Sequence, residues 1–251
     1  MLQLRTAEEE ISRSEISLLR QAVLQNDARL LDEMLCQEVY KKVINCRGGW
    51  GVSGTPLHAA VSKGHLSCLQ VLLGRGALVD CVDVKAQTPL FSAVRGKYLD
   101  CVLALLKAGA NPNGNSSNNC SPVLTAAREG DVKILKELLD GGAEGSIKQP
   151  KTVLEMCLRH GCGVEFVQLL IDFGANVYLP TLIIEKSTKQ NEAVELLLEE
   201  RGNPKALSSQ CRLAVRAHLK TMDRMHLIDQ LDMPTRLVNF LKHKPVSVPV
   251  L

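Results

Sequence analysis

Aromatic residues are scarce in this 251-residue sequence: one Trp, three Tyr and four Phe, 3% of the chain. The core it can build is therefore aliphatic. Long apolar runs are also missing. No stretch approaches the ~20 apolar residues a bilayer span needs, and the opening "MLQLRTAEEEISRSE" has neither the basic start nor the apolar centre of a secretory signal. The expectation is a protein of the cytosol or nucleus, with no membrane partner. Charge is nearly balanced, 30 Lys and Arg against 27 Asp and Glu, with no block of five or six like charges. That argues against a nucleic-acid partner. G-x-S-x-G, the phosphate-binding P-loop and H-E-x-x-H are all absent, so no catalytic residue and no cofactor is assigned. Nine cysteines, an odd number, include no C-x-x-C pair and read as reduced thiols, mostly core fillers.

What the sequence has is repetition. "TPLHAAVSKGHLSCLQVLLGRGALVD" begins at Thr55, "TPLFSAVRGKYLDCVLALLKAGANPN" at Thr88 and "SPVLTAAREGDVKILKELLDGGAE" at Ser121, two steps of 33 residues. A fourth unit, "TVLEMCLRHGCGVEFVQLLIDFGANV", follows from Thr152 after 31, with its Gly174-Ala175 pair one place late. Each unit reads as helix-turn-helix. Its first residue caps, Pro suits the first helical turn, and small pairs such as Ala59-Ala60 let a neighbouring helix approach. Gly64 breaks the first helix. In the second, Leu69, Leu72 and Leu73 recur at i, i+3 and i+4, and Gly76 ends it where a left-handed residue is wanted.

These units resemble the ankyrin repeat, whose T-P-L-H-x-A signature recurs at 33 residues. The resemblance covers residues 16–204: a degenerate cap at 16–54, repeats at 55–87, 88–120, 121–151 and 152–184, and a terminal partial repeat at 185–204. Worn end units are expected, because the end faces of a solenoid are otherwise apolar. The fold class expected is all-α, a solenoid with short β-hairpin-like loop tips. The insert "CQEVYKKVINCRGGWGVSG" (36–54), which holds Trp50, reads either as a long hairpin on the binding edge or as a packed loop anchor. In "EGSIKQPK" (144–151) the turn between units is shortened. His58 and His65 invite a metal reading, but in the family the first bonds its own turn and the next loop. Cys157, His160 and Cys162 could supply three soft ligands, yet no fourth stands at metal-finger spacing, and no metal site is assigned. By analogy with ankyrin stacks, Lys63, Asp83, Lys85, Arg95, Lys97, Arg128 and Glu129 mark a face for an unknown protein substrate.

The tail differs from all of this. In "ALSSQCRLAVRAHL" (206–219), with Leu207 at zero and about 100° per residue, Cys211, Val215 and Leu219 fall at about 40°, 80° and 120°. These four form one apolar stripe, while Arg212, Arg216 and Lys220 point elsewhere. Further on, "LDMPTRLVNFLKH" (231–243) has Pro234 opening a helix in which Leu237, Phe240 and Leu241 share a face. Two short helices in about forty residues hold together poorly alone. They imply a partner.

The first helix is similar to that of a SOCS box, a leucine followed four residues on by cysteine and then arginine. "LDMPTRLVNFL" looks like the second half of that box, usually L-P-x-P and a leucine-rich helix, with Asp232 in place of the first proline. Ala206 and Gln210 also depart from the pattern. Ankyrin units followed by such a box (205–245) resemble the ankyrin repeat and SOCS box family. The resemblance implies an adaptor of a ubiquitin ligase that carries out no covalent chemistry itself. Leu207, Cys211, Val215 and Leu219 would meet elongin C, bound to elongin B. Leu231, Pro234, Leu237, Phe240 and Leu241 would help recruit cullin 5 with its RING partner. The alternatives are a plain ankyrin scaffold whose last helices only cap the stack, and a thiol enzyme, which would need a cysteine of low pKa.

Overall fold

The computed structural model describes residues 7–47, 54–115, 117, 121–143, 153–159, 161–177, 192–202, 206–222 and 225–242. The chain forms two compact units, Met1–Pro122 and Val123–Leu251. In the first lie α1 (Ala7–Leu24), α2 (Ala28–Leu35), α3 (Glu38–Val43), α4 (Pro56–Ser62), α5 (Leu66–Gly74), α6 (Pro89–Arg95) and α7 (Leu99–Lys107). Helix α8 (Pro122–Glu129) opens at the boundary. The second unit continues with α9 (Val132–Asp140), α10 (Val153–Arg159), α11 (Val164–Asp172), α12 (Glu192–Gly202), α13 (Leu207–Thr221), a 3-10 turn (Met225–Gln230) and α14 (Thr235–Leu241). No strand occurs among the described residues.

The first unit has two layers. First helices α1, α4 and α6 pack in one row, second helices α2, α5 and α7 in the other. Small residues make the first row possible, since Ala59, Ala60 and Ala93 are fully buried. Leu72 and Leu105, at matching places in α5 and α7, are also fully buried, each contributing roughly 2 kcal/mol of burial. The helix starts follow the sequence reading. Thr88 Oγ1 accepts from the Phe91 amide at 3.2 Å, and Thr55 forms a capping box with His58. The His58 Nδ1 accepts from the Thr55 amide at 3.2 Å, which leaves Nε2 to donate to the Gln87 carbonyl, 3.0 Å away in the next loop. Burial holds the His58 pKa below its ordinary value. The ring is thus a neutral structural link.

Three findings differ from or extend the sequence reading. The insert at 36–54 contains a helix, α3, packed on α1, while Trp50 lies outside the described residues. Asp83 is a correction: it is buried, and its Oδ1 accepts from the amides of Lys85 and Gln87, both at 2.8 Å. It builds the hairpin-like turn and does not present its charge at the tip. The shortened turn at 144–151 and His160 fall outside the described residues, and Cys162 Sγ donates to the Ala127 carbonyl at 3.4 Å.

Candidate functional site

The chemistry available to buried thiols is limited. Burial raises the pKa of Cys81, Cys101 and Cys157, and takes Cys68 up to about 11. A thiol held protonated at neutral pH is a poor nucleophile. The features that can act are surfaces, and the most distinctive is helix α13.

Its two faces have opposite character. Leu207 is 76% exposed and Val215 41%, and Cys211, Ala214 and His218 are exposed between them. All five lie within about 100° of arc at 100° per residue. On the opposite side, near 180°, Arg216 is 7% exposed. The sequence reading placed this arginine off the apolar stripe and assigned it no role. Among the described residues of the tail it makes an extensive set of buried contacts. Its Nη1 donates to the Leu241 carbonyl at 2.8 Å and lies 3.4 Å from Asp140 Oδ1. Its Nη2 donates to the carbonyls of Leu139 and Asp140, and the guanidinium stands 4.7 Å over the Phe173 ring. Leu139 and Asp140 lie at the end of α9 and Leu241 ends α14, so one cation meets carbonyls at two helix C-termini and complements both dipoles, the Leu139 oxygen also accepting from the Gly142 amide at 3.1 Å.

Burial costs both members of the ion pair. Asp140 is raised to about 6 by desolvation, against the pull of Arg216, and Arg216 is lowered by desolvation, against the pull of Asp140. The carboxylate is therefore a weak contributor, and the planar fork meeting carbonyls and a ring accounts for the contact better than charge pairing does.

Two apolar side chains complete the seat. A Cβ at Gly142, after α9, would lie 3.0 Å from Met225 Cγ, and one at Gly174, after α11, 3.0 Å from Leu213 Cδ2. Both glycines have positive φ, +94° and +89°. They leave room for the tail where any other residue would crowd it. A cleft of about 280 Å³ lies in this seam, lined by Phe173, Leu213, Ala217 and Lys220 among others.

Inside the tail, Leu219, Met225, Ile228 and Leu241 form a small buried cluster with Leu231, Met233 and Phe240 packed against it. Leu219 and Leu241 are therefore corrections. At about 120° on α13, Leu219 faces the 3-10 turn, and Leu241 closes the cluster from α14, so neither lies on an exposed face. Phe240 is half-buried with Arg212 stacked 4.7 Å over its ring. Pro234 and Leu237 are exposed, Leu237 by 51%. Of the residues assigned to recognition, Lys63, Lys85, Arg95 and Lys97 are exposed in the first unit. In the second, Arg128 is exposed and lies 3.4 Å from Glu129. The sequence reading missed Arg216, Leu213 and Met225, and an arginine half a turn from Leu207, which leads the apolar stripe, was the available signal.

Comparison with known proteins agrees with this division. Residues 19–116 match the family described as ankyrin repeats (3 copies), and residues 203–242 match the SOCS box. The chain is 45% identical to human ankyrin repeat and SOCS box protein 12 and 42% to the mouse protein, in each case over 97% of this chain and 96% of the relative. It is 31% identical to human ankyrin repeat and SOCS box protein 1 over 90% of this chain and 88% of that protein. The alignments run over 297 and 296 positions, more than the 251 residues here, so these relatives hold residues without a counterpart in this chain.

Proposed function

The chain belongs to the ankyrin repeat and SOCS box protein family, and from that premise we propose that it is a substrate-recognition adaptor of a cullin-RING ubiquitin ligase. In this reading residues 16–204 form the ankyrin part and 205–245 the box. Leu207, Cys211 and Val215 enter elongin C, which brings elongin B. Leu231, Pro234, Leu237 and Phe240 help recruit cullin 5 with its RING partner. Lys63, Lys85, Arg95, Lys97, Arg128 and Glu129 hold a protein substrate, and the chain performs no bond-making step. Among the described residues no helix is long and apolar enough to cross a membrane, and the ligase would meet its target in the cytosol or nucleus.

The observation that carries the reading is the exposure of Leu207, Cys211 and Val215 on one face of a helix whose opposite face is already packed. An aliphatic stripe left in water on an ordered helix is a contact surface awaiting its partner. One observation favours the scaffold alternative: the tail sits on the ends of α9 and α11, as a mere cap would. The double change Leu207→Pro, Cys211→Phe separates the two. The proline breaks the first turn and the phenylalanine overfills a pocket sized for a thiol. A pull-down of the parent should contain elongins B and C and that of the variant should not, with substrate capture kept. Elongins missing from both leave the scaffold, and equal recovery from both overturns the assignment of Leu207 and Cys211 to the elongin contact.

A further inference from the structure

We propose that Arg216 is a positioning residue, clamping the box to α9 and α11 so that the Leu207, Cys211 and Val215 stripe keeps one fixed direction relative to those ankyrin helices. This rests on the adaptor reading for its purpose and on the geometry for its substance. A ligase adaptor must present its bound target at a constant place relative to the partner that leads to the ubiquitin carrier. A box swinging on its linker would blur that place. The box cannot hold its own orientation by packing, since its buried cluster is four residues with three half-buried neighbours.

Arg216 supplies what the cluster lacks. From the middle of α13 it reaches the end of α9 through Leu139 and Asp140, the ring after α11 through Phe173, and the end of α14 through Leu241. Three elements distant in sequence are thus fixed by one planar group. A planar fork on fixed carbonyls defines a rotation as well as a distance, and an ammonium on a flexible stem does not. The apolar contacts of Leu213 at Gly174 and Met225 at Gly142 bear on the same seam, but they permit sliding. Arg216 contacts no part of the exposed stripe, which lies half a turn away. Its effect on a partner there is through direction alone.

The test is made on the full chain, free and bound to elongins B and C. Spin labels are attached through a ketone-bearing amino acid at exposed Lys133 on α9 and exposed Gln230 in the box, leaving the native thiols untouched. The parent should give one narrow distance distribution. Arg216→Ala should at least double its width, Arg216→Lys should fall between the two, and Phe173→Leu, which removes the ring without altering α13, should broaden it less. Helical content and affinity for elongins B and C should stay within about threefold of the parent throughout, well under the tenfold that 1.4 kcal/mol represents. Target ubiquitination by the assembled ligase should fall in the order of the widths. A folded Arg216→Ala chain with the parent's narrow distribution overturns the clamp. Should Arg216→Ala not fold, Arg216→Lys and Phe173→Leu decide, and parental widths in both overturn it. Failure of the parent to bind elongins sinks the adaptor reading, and the purpose given to Arg216 with it, whatever the widths report.

Discussion

The repeat glycines of the first unit and those of the second share a local geometry and differ in use. Gly76 and Gly109 have φ of +90° and +86°, and a Cβ at either would meet nothing within 4 Å. Gly142 and Gly174, at the corresponding turns, have nearly the same φ but are covered by Met225 and Leu213. A left-handed helix terminus explains all four. The bare surface that glycine leaves was then available for a second purpose only where the tail folds back. The repeat thus supplies its own docking seat without any change of residue type, and the specific element is the tail that uses it.

The comparison is tested first at its common ground. Leu105 and Leu138 occupy equivalent places in α7 and α9 and both are fully buried, so Leu→Ala at either should lower stability by about 2 to 5 kcal/mol and by similar amounts in a denaturant melt. A large disparity would mean that the two repeat interiors are not alike. Arg216→Ala should cost about 3 kcal/mol, because it leaves Asp140 and several carbonyls buried without their partner. Hydrogen exchange should locate that loss in the second unit, with α4 to α7 unaffected.

The acid-base behaviour of the seam sharpens the contrast. Asp140 titrates near 6 in the folded chain against about 3.9 unfolded. Its folded value is the higher, so the folded state holds a proton that the unfolded state releases. The contribution of Asp140 to stability is fully present below pH ~4, is lost as pH rises to ~6 and is flat above, a loss on the order of 3 kcal/mol. The difference in melting between the parent and Asp140→Asn should follow that window. Smaller still is the glycine pair itself. Gly109→Ala should cost about 1 kcal/mol for its left-handed backbone, and Gly174→Ala a few tenths more as Leu213 gives way.

What could be read from the sequence was what is local. Helix-turn-helix units, the Thr caps, the His58 link and the glycine ends depend on residues within one period, and each stands where the pattern put it. Helix α3 went unread because "EVYKKV" is six residues long with no counterpart in the other units. Asp83 was assigned to the substrate face, although an aspartate followed by backbone amides two and four residues on is the signal of a side-chain-closed turn. The stripe of α13 was half legible. Its exposed members were named, but Leu219 belongs to the core because the 3-10 turn reaches over it. Arg216 faces inward because its partners, 76 and 77 residues earlier, offer acceptors no local pattern announces.

The central claim is that the exposed face of α13 receives elongin C, and it is tested most directly by calorimetric titration of the full chain with purified elongin B/C. The parent should bind, and Cys211→Phe should weaken the affinity at least thirtyfold, about 2 kcal/mol, as expected for an overfilled central pocket. Arg216→Ala, on the opposite face, should leave it within about threefold, under 1 kcal/mol. Equal affinities for parent and Cys211→Phe, or no binding by the parent, would contradict the account.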